Sequence, residues 1–228
     1  MKILPCGDCA VSIRFEEKIA PEIHARVMAM DGAIKRAALS GVMECVPSYC
    51  ALMVRYDPLQ LTYKEISDAI STLSPEEAAH GQEGEIVELP VLYGGEYGPD
   101  LEFVASRAGL SVEEAVRLHT SVDYPVYMLG FTPGFPYLGG MDARLRLNTP
   151  RLDTPRTGVP AGSVGIAGAQ TGVYPVASPG GWRIIGRTPA ALYDPSRAEP
   201  FLLKAGQRLR FVPIGEAEYK RLEGGQGR

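Results

Sequence analysis

With 228 residues, of which 45% are apolar, the chain has enough material for one large core or two small ones. A net charge of −4, with 22% charged residues, argues against a nucleic-acid binder, which would carry a basic patch or stripe. No apolar run approaches the roughly 20 residues of a membrane helix, and the opening MKILPCGDCAVSIRF lacks the apolar core of a secretion signal, so a cytoplasmic protein is expected.

The first strand is predicted near 8–15, where Cys9, Val11, Ile13 and Phe15 alternate with polar residues. A helix is predicted over about 21–39, with Pro21 in its first turn, Ile23, Val27, Met30 and Ile34 at helical spacing, and Gly41 beyond its end. Strands follow at about 42–47 and 49–56. TYKE at 62–65 is a capping box that opens a second helix with Ile66, Ala69, Ile70 and Leu73 as its buried stripe. After an exposed linker, SPEEAAHGQEG, a strand resumes in EIVELPVLY. The order β-α-β-β-α-β is that of a split βαβ, ferredoxin-like unit, which places an α+β domain at residues 1–92.

The cysteines fall in two pairs, Cys6/Cys9 and Cys45/Cys50, a pattern that raises a zinc reading. The alternation instead puts Cys9 and Cys50 on the apolar faces of strands, as small core residues, and no metal site is expected.

Residues 93–228 are predicted to form an all-β barrel with two short leading helices, the second opened by a capping box from Ser111 to Glu114. Between Gly130 and Pro189 lie 12 glycines and 8 prolines, where average usage gives roughly 7 together. Short apolar pieces between such turns read as a closed barrel or sandwich. The tail EGGQGR is expected to fray. GWRIIGRT at 181–188 has the spacing of a phosphate loop, but its interior reads as a strand and Pro189 follows where a helix must begin.

Among the three histidines, His24 and His80 read as surface residues. His119 ends a capped helix, where it is either a partner for the helix dipole or an acid–base group. NTPRLDTPR repeats Thr-Pro-Arg, and a bent loop can bring Arg151 and Arg156 together as a receptor for carboxylate or phosphate oxygens. The alternative ties both to carbonyls or to Asp142 and Asp153. Phe131, Phe135, Tyr137, Tyr174 and Trp182 either plug barrel ends or wall a pocket.

Three segments, GFTPGFPYLGGMD, TPRLDTPRTGVPAGSVGIAGAQTGVYP and SPGGWRIIGRTP, resemble the KipI/PxpB family, long labelled allophanate hydrolase subunit 1. GDCAVSIRF, VPSYCALMVRYDP, PVLYGGEYGPDL and LHTSVDYPVYMLGF resemble its earlier blocks, so the likeness runs to about Pro213. The sequence departs from the family at AGQRLRF, where a Pro-Gly-Asp turn is usual, and at Leu92, where a cysteine is frequent. The resemblance implies a ferredoxin-like domain followed by a cyclophilin-like barrel. It also implies work with a PxpC-type (allophanate hydrolase subunit 2) protein and a PxpA-type protein. Together these open 5-oxo-L-proline to L-glutamate, with ATP and Mg2+ as substrate of the complex, and the chain is expected to be inactive alone. On this reading His119, Arg151 and Arg156 are the catalytic group, and Gly134, Phe135, Tyr137, Gln170, Thr171, Tyr174 and Trp182 shape the pocket. The alternatives that the family offers are a KipI-like inhibitor of a sensor histidine kinase and half of a biotin-dependent urea carboxyltransferase.

Overall fold

The structure is a computed structural model and describes residues 1–74, 85–146 and 149–225. The expected linker at 74–84, with His80, lies almost wholly outside them, as do the last three residues. The chain divides into two units, Met1–Gln82 and Glu83–Arg228.

The first unit runs β1 (Lys2–Pro5), β2 (Ala10–Arg14), α1 (Pro21–Ala37), β3 (Val42–Pro47), β4 (Ala51–Tyr56) and α2 (Tyr63–Thr72). Its sheet has the order β1-β2-β4-β3 with every pair antiparallel. Val11, Ile13, Leu52, Val54 and Tyr56 from the sheet bury against Val27, Met30 and Ile34 of α1 and Ile66 and Ile70 of α2. Pro21 supplies the first turn of α1 and Ala38 ends it in the left-handed region, at φ 45°. The TYKE box forms as read: the Glu65 amide donates to Thr62 Oγ1 at 3.3 Å, and the Thr62 amide donates to Glu65 Oε2 at 2.8 Å.

Three expectations are corrected here. His24, read as a surface residue, is 6% exposed on the buried side of α1. The strand at the end of the supposed βαββαβ unit does not join this sheet. The place beside β2 that it would take is filled from the N-terminus by β1, through a tight connection containing Gly7 at φ +69°. A short hairpin partner closes less chain than a strand returning from residue 86, so loop entropy favours it. Cys9, read as a core residue, is exposed, and Cys50 is only half-buried, because β2 and β4 begin after them.

The second unit contains β5 (Ile86–Tyr93), α3 (Leu101–Ala108), α4 (Val112–Thr120), β6 (Tyr124–Leu129), β7 (Pro136–Leu138) and α5 (Ala143–Arg146). It continues with β8 (Arg156–Val159), β9 (Ser163–Ala167), β10 (Gln170–Val173), β11 (Ser178–Gly180), β12 (Arg183–Arg187), β13 (Arg208–Pro213) and α6 (Glu216–Gly225). Seven strands close a barrel in the order β10-β7-β6-β13-β5-β12-β9, while β8 and β11 pair separately. Closure leaves no open edge in the main sheet. EIVELPVLY is β5, held between β12 and a parallel β13. Leu89, Val91, Val164, Ile166, Val173, Leu209 and Phe211 fill the interior, with Leu101, Val104, Ala115 and Leu118 of the two helices packed on the same core. Both short helices and the Ser111–Glu114 capping box are present, whereas α6 reaches into the tail expected to fray. Tyr219 holds α6 in place, 2% exposed with its ring 4.8 Å from that of Tyr97. GWRIIGRT supplies β12, as its apolar interior indicated.

Candidate functional site

In the turn-rich segment after β6, glycine and aromatic rings alternate for a steric reason. Gly134 takes φ +80°, and Phe135 then drops to 1% exposure at the centre of an aromatic cluster. Its ring lies 5.2 Å from Tyr174 and 5.4 Å from Trp182, both edge-on, and 5.0 Å from Tyr137. Edge-to-face pairs of this kind add stability beyond their buried area. Glycine is required where rings meet backbone: a Cβ on Gly180 would fall 2.3 Å from the Tyr174 hydroxyl. Phe131 differs, being 66% exposed at φ +69°, a conformation that disfavours a bulky side chain by roughly 1–2 kcal/mol.

The two predicted arginines do converge, on Trp182. The Thr149–Arg156 loop bends because Leu152 N–H donates to Gly181 O at 2.7 Å and Gly168 N–H donates to Thr149 O at 2.7 Å. Arg151 lies with its guanidinium 5.9 Å from the centre of the Trp182 ring, exposed to solvent. Arg156 donates to the Trp182 carbonyl at 3.3 Å and pairs with Asp100 at 2.9 Å. The partner of Arg156 is therefore Asp100 and neither Asp142, which holds Arg144, nor Asp153. Asp100 is 6% exposed; it also accepts the Ile184 amide at 2.7 Å and faces Arg183 at 3.6 Å, while Arg183 lies 3.8 Å over the Phe103 ring. One carboxylate thus fastens α3 to β12 and fixes two guanidinium groups. Burial pushes the Tyr174 hydroxyl up, partly offset by the Trp182 amide and the Arg151 charge.

His119 stands elsewhere. It is 1% exposed inside the barrel, stacked 4.5 Å from Phe211. Thr171 donates its hydroxyl to Gly165 O at 3.0 Å, so the 2.9 Å contact to His119 Nε2 has the histidine as donor. Nδ1 is then the bare nitrogen and accepts from Tyr93 O–H at 2.8 Å. This tautomer follows from the network. Burial lowers its pKa from 6.5 to about 3, so the ring stays neutral at physiological pH. His119 is thus an interior residue with both ring nitrogens engaged, one by Thr171 and one by Tyr93. Phe135, Tyr174 and Trp182 are likewise buried, leaving Tyr137, half-buried at 6.2 Å from Trp182, and Arg151 at the accessible edge. Gln170, at the start of β10, is half-buried.

Asp100, Arg183 and Tyr93 escaped the sequence reading. Asp100 stands at the N-cap of α3, but its side chain caps nothing and turns to β12, a choice no local pattern encodes. Among the described residues, no group of three or more His, Cys, Asp or Glu side chains is arranged to hold a metal, and no helix is long and apolar enough to cross a membrane. A cleft of about 880 Å3 opens between α3, α4 and the Gly94–Pro99 turn, lined by none of the residues predicted for the site.

Residues 1–203 match the family described as carboxyltransferase domain, subdomain C and D. The 5-oxoprolinase B subunit of Bacillus subtilis is 46% identical over 93% of this chain and 92% of its own length. The chain belongs to the KipI/PxpB family of 5-oxoprolinase B subunits. The corresponding protein from Escherichia coli O157:H7 is 44% identical over 92% of this chain and 94% of its own length. Among solved structures, TTHA0988 superimposes with a TM-score of 0.79 at 43% identity over 90% of this chain, which spans only 40% of the TTHA0988 chain. The urea carboxylase of Kluyveromyces lactis, at 21% identity and a TM-score of 0.76 over 96% of this chain and 22% of its own, shares the fold.

Proposed function

We propose that this chain is the PxpB-type component of an ATP-dependent 5-oxoprolinase, acting with PxpC-type and PxpA-type proteins and inactive by itself. A five-membered lactam is a poor electrophile; when its oxygen takes the γ-phosphoryl of ATP, ADP leaves, and water can then add to the ring carbon, with phosphate expelled and the C–N bond broken to give glutamate. Such transfer needs positioning and charge neutralisation more than a nucleophile. The observation that carries the assignment to this site is Arg151. Its guanidinium rests on the Trp182 face, and no carboxylate of the described residues lies within ion-pair distance of it. Its planar fork is left to a phosphate or carboxylate oxygen. Arg156, engaged by Asp100, holds the Trp182 backbone beside Arg151, and His119 ties Tyr93 of β5 to Thr171 of β10. Magnesium accompanies ATP as part of the substrate.

Identity supports this reading over the carboxyltransferase alternative: 44–48% to three 5-oxoprolinase B subunits, against 22–29% to urea carboxylase and amidolyases, of which this chain spans 7–13%. The test is Arg151→Ala in the assembled complex. Turnover should fall by a factor of about 10²–10³, the range for losing one preorganised group that stabilises transition-state charge. The unfolding midpoint should stay within about 1 °C, as for an exposed residue outside the packing. Unaltered turnover removes Arg151 from the mechanism.

A further inference from the structure

From the Phe131 turn we infer that this face of the second unit is where the PxpC-type protein seats; the inference rests on the reading above that the chain works as one component of several. Phe131 and the helix-ending Ala38 are the non-glycine residues with positive φ among those described. A helix terminus accounts for Ala38. Nothing within this unit accounts for Phe131: its ring meets Phe135 edge-on at 5.7 Å and is otherwise turned outward, the most exposed aromatic side chain among the described residues. The turn holds it there. Gly130 N–H donates to Phe135 O at 3.1 Å, Thr132 N–H to Gly130 O at 2.9 Å, and Phe135 N–H to Thr132 O at 3.1 Å. A strained backbone that presents an apolar ring to water gains nothing in the separate chain, and such outliers cluster where function requires them.

Beside the ring lies a hollow of about 300 Å3 lined by Leu129, the 130–134 turn and Phe201, with no charged side chain. Phe201 is 39% exposed and stacked 5.3 Å from Tyr193. Knob and hollow together form an uncharged aromatic patch, the composition of an interface centre. The occupant is argued from two facts. The region like this chain makes up nearly the whole of the B. subtilis relative but 40% of TTHA0988, so this unit occurs both separately and joined to a larger second piece. Beneath the patch, buried Phe135 links Phe131 to Trp182, the ring beside Arg151, so a protein seated on Phe131 bears on the packing that holds that guanidinium. Its contacting surface should be apolar, with aliphatic or aromatic side chains to fill the hollow.

The test uses the full chain and a purified PxpC-type protein, with affinity followed by biolayer interferometry and folding by thermal unfolding. Phe131→Gly relieves the strained φ while deleting the ring, so its unfolding midpoint should equal or exceed that of wild type while Kd for the PxpC-type protein rises at least fivefold. Phe131→Ala, which keeps the strain, should show the same loss of affinity. Wild-type binding with less than a fivefold change in both variants overturns the docking face and leaves the reading of the chain as one component of a complex intact. Failure of the wild-type chain to bind the PxpC-type protein takes down both. Self-association that Phe131→Gly abolishes, with PxpC-type binding unchanged, makes the occupant a second copy and also overturns the inference.

Discussion

Acid should loosen the barrel unit through His119 before most carboxylates titrate. In the fold its pKa is about 3, against 6.5 for an unperturbed histidine, and burial is the cause. Above pH 6.5 the ring is neutral in both folded and unfolded chains, and the full stability is present. As pH falls below 6.5 the unfolded chain takes up a proton that the fold refuses, so stability drops by about 1.4 kcal/mol per pH unit until the folded pKa is reached. Between pH 7 and pH 5 the loss is roughly 2 kcal/mol, a factor of about 30 in the folded-to-unfolded ratio. Trp182 is the sole tryptophan and is 6% exposed in this unit, so its fluorescence reports unfolding of the barrel. Urea unfolding of wild type and His119→Gln at both pH values isolates the effect, because carboxylate contributions cancel in the comparison. Gln cannot titrate, so the variant should start less stable at pH 7 yet lose about 2 kcal/mol less than wild type on acidification. Equal losses in the two proteins, or a histidine NMR titration of His119 centred near 6.5, would refute the buried neutral assignment.

Two further outcomes test the packing. Asp100→Ala leaves Arg156 and the Ile184 amide without their acceptor, so it should destabilise the barrel unit by about 2–4 kcal/mol in urea unfolding, more than Arg151→Ala. The Cys45 thiol, half-buried near Asp31, is pushed up to about 11 by burial first and by that carboxylate second. At pH 8 only about one in 10³ of its molecules is thiolate, so iodoacetamide should alkylate exposed Cys6 and Cys9 well before it.

Local signals carried the helices. Both capping boxes, Pro21, and the Ile66/Ile70 stripe depend on neighbours three or four residues away, and each formed as read. Long-range pairing was not legible in the same way. The 86–93 segment alternates as a strand in any sheet, and its pairing with β12 and a parallel β13, both distant in sequence, places it in the barrel. Density of glycine and proline correctly indicated a turn-braced β unit, and the bend in NTPRLDTPR brought both arginines to Trp182. What the pattern could not reveal is how each charge is neutralised. Asp100 lies 56 residues from Arg156, and His119 lies 52 from Thr171, so their pairing depends on barrel closure.

The most direct measurement combines this chain with PxpA-type and PxpC-type proteins, 5-oxo-L-proline, ATP and Mg2+, and follows glutamate release. The account predicts that release requires ATP and all three proteins, and that leaving out this chain reduces it to background. Glutamate released at an undiminished rate without this chain would contradict it.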